Sequence, residues 1–142
     1  MLYPLYREQL RPRARKFAYA VAELSHHLRH CGEAILANQF IRSGTSIGAN
    51  IAEGRYPETR GDLISKYSIA LKEASETRYW LELFEDMGII TPNGRFGYMH
   101  ALCEEIIDIL VKAIKSAKAA RRREERRAQE LAKPRRKRLK SL

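Results

Sequence analysis

The sequence predicts an all-α chain folded as an antiparallel up-down four-helix bundle with a basic C-terminal helical extension. Three observations carry that expectation. Apolar residues recur at alternating spacings of three and four along separate stretches, the repeat of a helix with one buried face. Turn signals at Gly32, Tyr56-Pro57 and Thr91-Pro92-Asn93-Gly94 divide these stretches, and short loops set consecutive helices side by side. No segment alternates apolar and polar residues as a half-buried strand does.

Residues 1–12 contain Pro4 and Pro12 and are expected to be irregular. From about Arg13 the row Ala14, Phe17, Val21, Leu24, Leu28 and Cys31 forms a heptad stripe. Gly32 stands where a C-terminal cap is wanted, so the first helix should end near Cys31. The second follows from about Glu33 to Glu53, with Leu36, Phe40, Ile47 and Ile51 as its apolar row. Its centre is rich in small residues, among them Ser43, Gly44, Ser46, Gly48 and Ala49. Glycine in a helix interior costs about 1 kcal/mol relative to alanine, so this helix is expected to be approached closely by neighbours on more than one side.

The third helix shows the clearest pattern: Leu63, Tyr67, Ala70, Ala74, Thr77, Leu81 and Phe84, with Asp62 as N-cap and Gly88 at its end. Trp80, Leu83 and Met87 widen its apolar face. The fourth begins near Gly97 and runs through Met99, Cys103, Ile106, Leu110, Ala113, Ala117 and Ala120. Beyond Arg121 the apolar row is gone. Arg121–Glu125 and Glu124–Arg127 are expected as helical ion pairs that carry the helix toward Ala132, and Pro134 ends it. The organisation read from these patterns is an N-terminal segment 1–12, a bundle 13–120 and a basic tail 121–142.

With 142 residues, 44% of them hydrophobic, the chain suits one domain with a single core. No apolar run approaches the ~20 residues that span a bilayer, and the first residues lack the apolar centre of a signal peptide. The two cysteines, Cys31 and Cys103, read as small buried hydrophobes. A cytoplasmic location is the expectation.

The helix-2 segment RSGTSIGANIAEGR, residues 42–55, is also where the chain resembles a known family. Gln39, Arg42-Ser43, Ser46-Ile47, Asn50 through Gly54 and then Tyr67, Ala70, Glu73 and Glu76 match the signature of small four-helix-bundle proteins encoded in intervening sequences of bacterial 23S ribosomal RNA. The resemblance covers roughly Phe17 to Lys118. It implies an all-helical fold and a homo-oligomer, a ring-shaped pentamer. It also implies architectural kinship to the accessory protein of diversity-generating retroelements, which partners a reverse transcriptase and binds nucleic acid. No catalytic residue follows from it. Gly44 and Gly48 depart from the signature, where bulkier small residues are expected.

Charge is distributed unevenly. From Lys112 to the end there are 14 Lys and Arg against 3 Glu, whereas residues 17–111 carry 8 basic against 13 acidic side chains. Residues 1–16 carry 5 basic and 1 acidic. The candidate nucleic-acid-binding set on the tail is Lys115, Lys118, Arg121, Arg122, Arg123, Arg126, Arg127, Arg135, Arg136, Lys137 and Arg138. Such a run suits a polyphosphate, since each phosphate contact releases condensed counterions. It equally describes a solvated helix end that aids solubility, and it lacks the Trp, Phe and Leu face of a membrane-surface helix. The resemblance, through the family's genomic setting, implies RNA as the partner, with a reverse transcriptase as the alternative protein partner.

A second candidate is the polar stripe Gln39, Arg42, Ser46, Asn50 and Glu53 on the second helix. It reads either as a recognition surface or as hydrogen-bonded contacts within the bundle or between subunits, with Arg42 paired to Glu73 or Glu76. Metal and enzyme readings find little. Glu23-Leu24-Ser25-His26 occurs without the second copy that a di-iron bundle needs, and His26–His30 and His27–Cys31 are isolated i,i+4 pairs. His100 stands alone near the start of the fourth helix. No nucleophile elbow, phosphate loop or zinc-protease helix is present. The chain is expected to be non-enzymatic and to need no cofactor.

Overall fold

The computed structural model describes residues 3–136 and contains, among them, four helices and no strand. These are α1 (Tyr3–His30), α2 (Ala34–Glu53), α3 (Arg60–Asp86) and α4 (Met99–Ala132). Each packs against its neighbours in sequence, and α4 closes back onto α1, so the four stand at the corners of a square and run alternately up and down. The start of α1, the end of α2, the start of α3 and the later part of α4 therefore share one end of the bundle.

The core is the one the spacings define. Phe17, Val21 and Leu24 of α1, Phe40 and Ile47 of α2, Tyr67, Leu81 and Phe84 of α3, and Cys103, Ile106 and Leu110 of α4 are all buried. Each large side chain taken from water contributes about 1.5–3 kcal/mol. Phe40 and Phe84 meet edge to face with ring centroids 5.2 Å apart, the arrangement aromatic quadrupoles prefer. Gly32 at φ 83° and Gly88 at φ 76° end α1 and α3 in the left-handed conformation, as their placement predicts.

The structure corrects the expectation for the N-terminus. Residues 3–12 are helical, and Pro12 lies inside α1. A proline there removes one backbone donor and crowds the preceding turn. The helix persists because Leu10, two residues earlier, is fully buried, and Tyr6 packs against the core. The Arg13 guanidinium also donates to the Gln9 carbonyl at 2.9 Å. The N-cap of α3 is Thr59 instead of Asp62: its hydroxyl accepts from the Asp62 N–H at 3.0 Å. The Asp62 carboxylate in turn accepts from the Glu58 N–H at 3.3 Å, a reciprocal arrangement close to a capping box.

Cys31 is exposed, against the expectation of burial, because it lies one residue past the end of α1, where the helical phase that aims the heptad stripe inward is lost. Among the described residues no helix is long and apolar enough to cross a membrane.

Candidate nucleic-acid interface

The last part of α4 leaves the core before it leaves the helix. Ala117 is its final buried residue, yet the helix continues to Ala132. The stretch 121–132 alone is about 18 Å of helix at 1.5 Å per residue. Along the later part of α4, Lys115, Lys118, Arg122, Arg123, Arg126 and Arg127 are exposed, as are Arg135 and Arg136 beyond it. Arg121 is partly covered, with its Nε 3.9 Å from Glu125, the i,i+4 pair expected from the spacing. Lys137 and Arg138 lie outside the described residues.

Glu124 does not serve its helix neighbour Arg127. It accepts from Arg60 at the start of α3, at 2.7 Å. That contact tethers the protruding helix to the bundle and leaves the cations on its outer side directed to solvent.

The polar stripe resolves differently. The Arg42 guanidinium reaches across to α3, 3.4 Å from Glu73 Oε2 and in contact with Glu76. The Ser46 hydroxyl donates to the Arg42 carbonyl at 2.6 Å, and the Asn50 amide donates to the Ser46 carbonyl at 2.8 Å. Glu53 pairs with Lys66 of α3 at 2.7 Å. That hydrogen bond, and then the carboxylate's charge, raises the Lys66 pKa. Gln39 is exposed. Arg42 and Glu53 thus join α2 to α3, and Ser46 and Asn50 brace α2 itself. Partly exposed ion pairs of this kind contribute at most about 1 kcal/mol each.

The sequence profile of the 23S rRNA-intervening sequence protein family matches residues 9–112. The chain belongs to that family. Among solved structures, a protein of unknown function from the S23 ribosomal protein family of Bacteroides thetaiotaomicron VPI-5482 is similar at 37% identity and a TM-score of 0.72. The similarity covers 78% of this chain and 98% of that one. No functionally curated protein matches. The match to the 23S rRNA-intervening sequence family stops before Lys115, so every cation assigned to the tail lies beyond the family's shared region.

Within the shared bundle of this intervening-sequence family member, two features escape the sequence patterns. Ser43 and Thr77 are fully buried and their hydroxyl oxygens are 2.9 Å apart; each resembles an ordinary small residue on its stripe until the two helices are docked. His100 is not alone. Its Nδ1 is 2.6 Å from Glu85 and its Nε2 is 3.5 Å from Glu104 and 3.9 Å from Glu82. Glu104 is the i,i+4 neighbour of His100 on α4, whereas Glu82 and Glu85 come from α3 and only packing brings them to it. His27 Nε2 and Cys31 Sγ are 3.6 Å apart, and His26 and His30 meet edge to face. Among the described residues no group of three or more His, Cys, Asp and Glu is disposed to hold a metal ion.

Proposed function

We propose that this protein is a non-enzymatic, oligomeric nucleic-acid-binding scaffold whose ligand is RNA, gripped through phosphates by the basic C-terminal segment. The observation that carries this reading is the protruding part of α4, where Arg122, Arg123, Arg126 and Arg127 are exposed on a stretch of helix past its last buried residue, Ala117. A surface of that composition attracts a polyanion through counterion release and reads no base sequence. Assembly into a ring, a pentamer, is the second part of the reading. It is supported by large apolar side chains left in solvent, such as Ile35 at 80% exposure, and it would multiply tail binding through avidity.

The test is the salt dependence of RNA binding. Replacement of Arg122, Arg123, Arg126 and Arg127 by Gln in the full chain is expected to weaken binding at least tenfold near 0.1 M salt. The slope of log K against log salt should flatten by about 2–3. An unchanged slope would remove the tail from the binding surface. Sedimentation velocity of the full chain reads the assembly state, and a monomer at micromolar concentration would end the pentamer reading.

A further inference from the structure

A second basic surface lies on the outer side of α1, within the bundle itself. Arg7, Arg11 and Arg15 recur every fourth residue and, with Arg55 just past the end of α2, line a groove of about 520 Å³. Ala14, Gly48, Ile51 and Ala52 complete its lining with small and apolar groups. Among the described residues none of these four guanidiniums has a carboxylate within ion-pair distance, in contrast to Arg13, Arg42, Arg60, Arg78 and Arg95. Glu8 is the one acidic residue on the rim. Arg7 is oriented by a long hydrogen bond to the Arg55 carbonyl, 3.5 Å.

Arg15 also borders a shallower depression with Lys16, Tyr19 and Tyr98. The two depressions therefore run on from one another along α1. From Arg7 to Tyr19 the helix rises about 18 Å. Aromatic rings stand exposed at both ends of this path: Tyr56 at 79%, Tyr19 at 73% and Tyr98 at 45%. Cations already sit over two of them, Arg55 at 5.2 Å from the Tyr56 centroid and Lys16 at 5.4 Å from that of Tyr98.

Unpaired guanidiniums interleaved with exposed rings are the chemistry of a single-stranded nucleic-acid path, in which cations track the phosphates and rings stack the bases. A duplex offers no free base face to the rings. We infer that the Arg7–Tyr19 face of α1, with Arg55-Tyr56 and Tyr98, is a binding track for single-stranded RNA. Its Arg7–Arg55 end lies toward the same end of the bundle as the protruding part of α4, and its Tyr98 end toward the start of α4. The inference rests on the RNA-binding reading above and adds to it: the tail supplies attraction to any phosphate chain, and the track supplies preference for unpaired strands.

The test uses the full chain, a labelled oligouridine and a labelled RNA duplex in fluorescence anisotropy. Arg11→Gln with Arg15→Gln is expected to weaken oligouridine binding roughly tenfold or more near 0.1 M salt. Tyr19→Ala with Tyr56→Ala should weaken it at least fivefold and leave the duplex within twofold. The tail variant described above should weaken both probes alike. Loss of duplex and oligouridine binding in equal proportion by the track variants, or no loss of either, overturns the track and leaves the tail reading intact. Oligouridine lost in the track variants but untouched in the tail variant supports the track and overturns the tail. A change of sedimentation in the track variants with unchanged RNA affinity assigns this face to contact between copies and overturns the proposal. All these side chains are at the surface, so circular dichroism should show unaltered helix content.

Discussion

Val21 of α1 sits directly over Gly44 of α2. A methyl group built on Gly44 would stand 2.7 Å from both γ carbons of Val21, closer than carbon atoms approach. Val21 is fully buried and branched at Cβ, so it has no alternative rotamer to retreat into. The small-residue centre of α2 thus has a definite mechanical reason at one position.

Gly44→Ala is therefore expected to destabilise the bundle by about 1–3 kcal/mol from overpacking, partly offset by the ~1 kcal/mol helix preference of alanine. Gly48 offers the control. A Cβ there would meet the Ala14 Cβ at an ordinary 3.7 Å, so Gly48→Ala should stabilise by up to about 1 kcal/mol. Urea unfolding of the two variants reads opposite signs if the contact with Val21 governs the site.

The buried hydroxyls of Ser43 and Thr77 connect α2 to α3. Each also reaches a main-chain carbonyl, Ser43 that of Phe40 at 3.3 Å and Thr77 that of Glu73 at 2.7 Å. Neither is orphaned when its partner is removed. Thr77→Val and Ser43→Ala should each cost about 1 kcal/mol, with the double variant costing less than their sum. A strictly additive double-mutant cycle would show that the two hydroxyls do not interact.

Burial separates the cysteines chemically. The Cys103 thiol, enclosed between α3 and α4 and 3.5 Å from the Ala74 carbonyl, has its pKa pushed up to about 12, chiefly by desolvation and then by the charge of Glu104. The thiolate is the reactive form, and at pH 8 Cys103 has almost none. A thiol reagent is expected to label one cysteine in the folded protein, Cys31, and two in denaturant. Rapid labelling of both under native conditions would contradict the packing of α4.

Pro12 is a local penalty that tertiary burial overrides. Pro12→Ala restores a donor to the first half of α1 and should raise stability by about 1–3 kcal/mol. A loss of stability would mean that the proline ring itself is needed for packing.

The same contest explains what the sequence could and could not convey. The rows on α3 and α4 are legible because burial imposes a 3.6-residue period, and each of their residues from Leu63 to Phe84 and from Met99 to Ala117 is inside. The helical start at Tyr3 is not, since proline statistics are local whereas Leu10 is held by the rest of the molecule. Arg42 could be paired with Glu73 and Glu76 from spacing alone, because a bundle leaves few neighbours within reach of α2. The surroundings of His100 and the path along α1 could not. They join residues on separate helices, such as His100 with Glu85 and Arg15 with Tyr98, and no periodicity encodes which corner of a square faces which. The tail cations were visible as composition, but their partition was not: Arg60 claims Glu124.

The protruding end of α4 has a thermodynamic consequence of its own. Among the described residues beyond Ala117 no apolar side chain is interred, so the coil is retained by its own amides, by Arg60 and by scattered ion pairs, against mutual repulsion among its arginines. Short solitary helices in water sit close to their melting point. Any polyanion that settles there removes the repulsion and winds the segment tighter, so ligand capture and helix content should rise together, visible as a gain in ellipticity at 222 nm on titration.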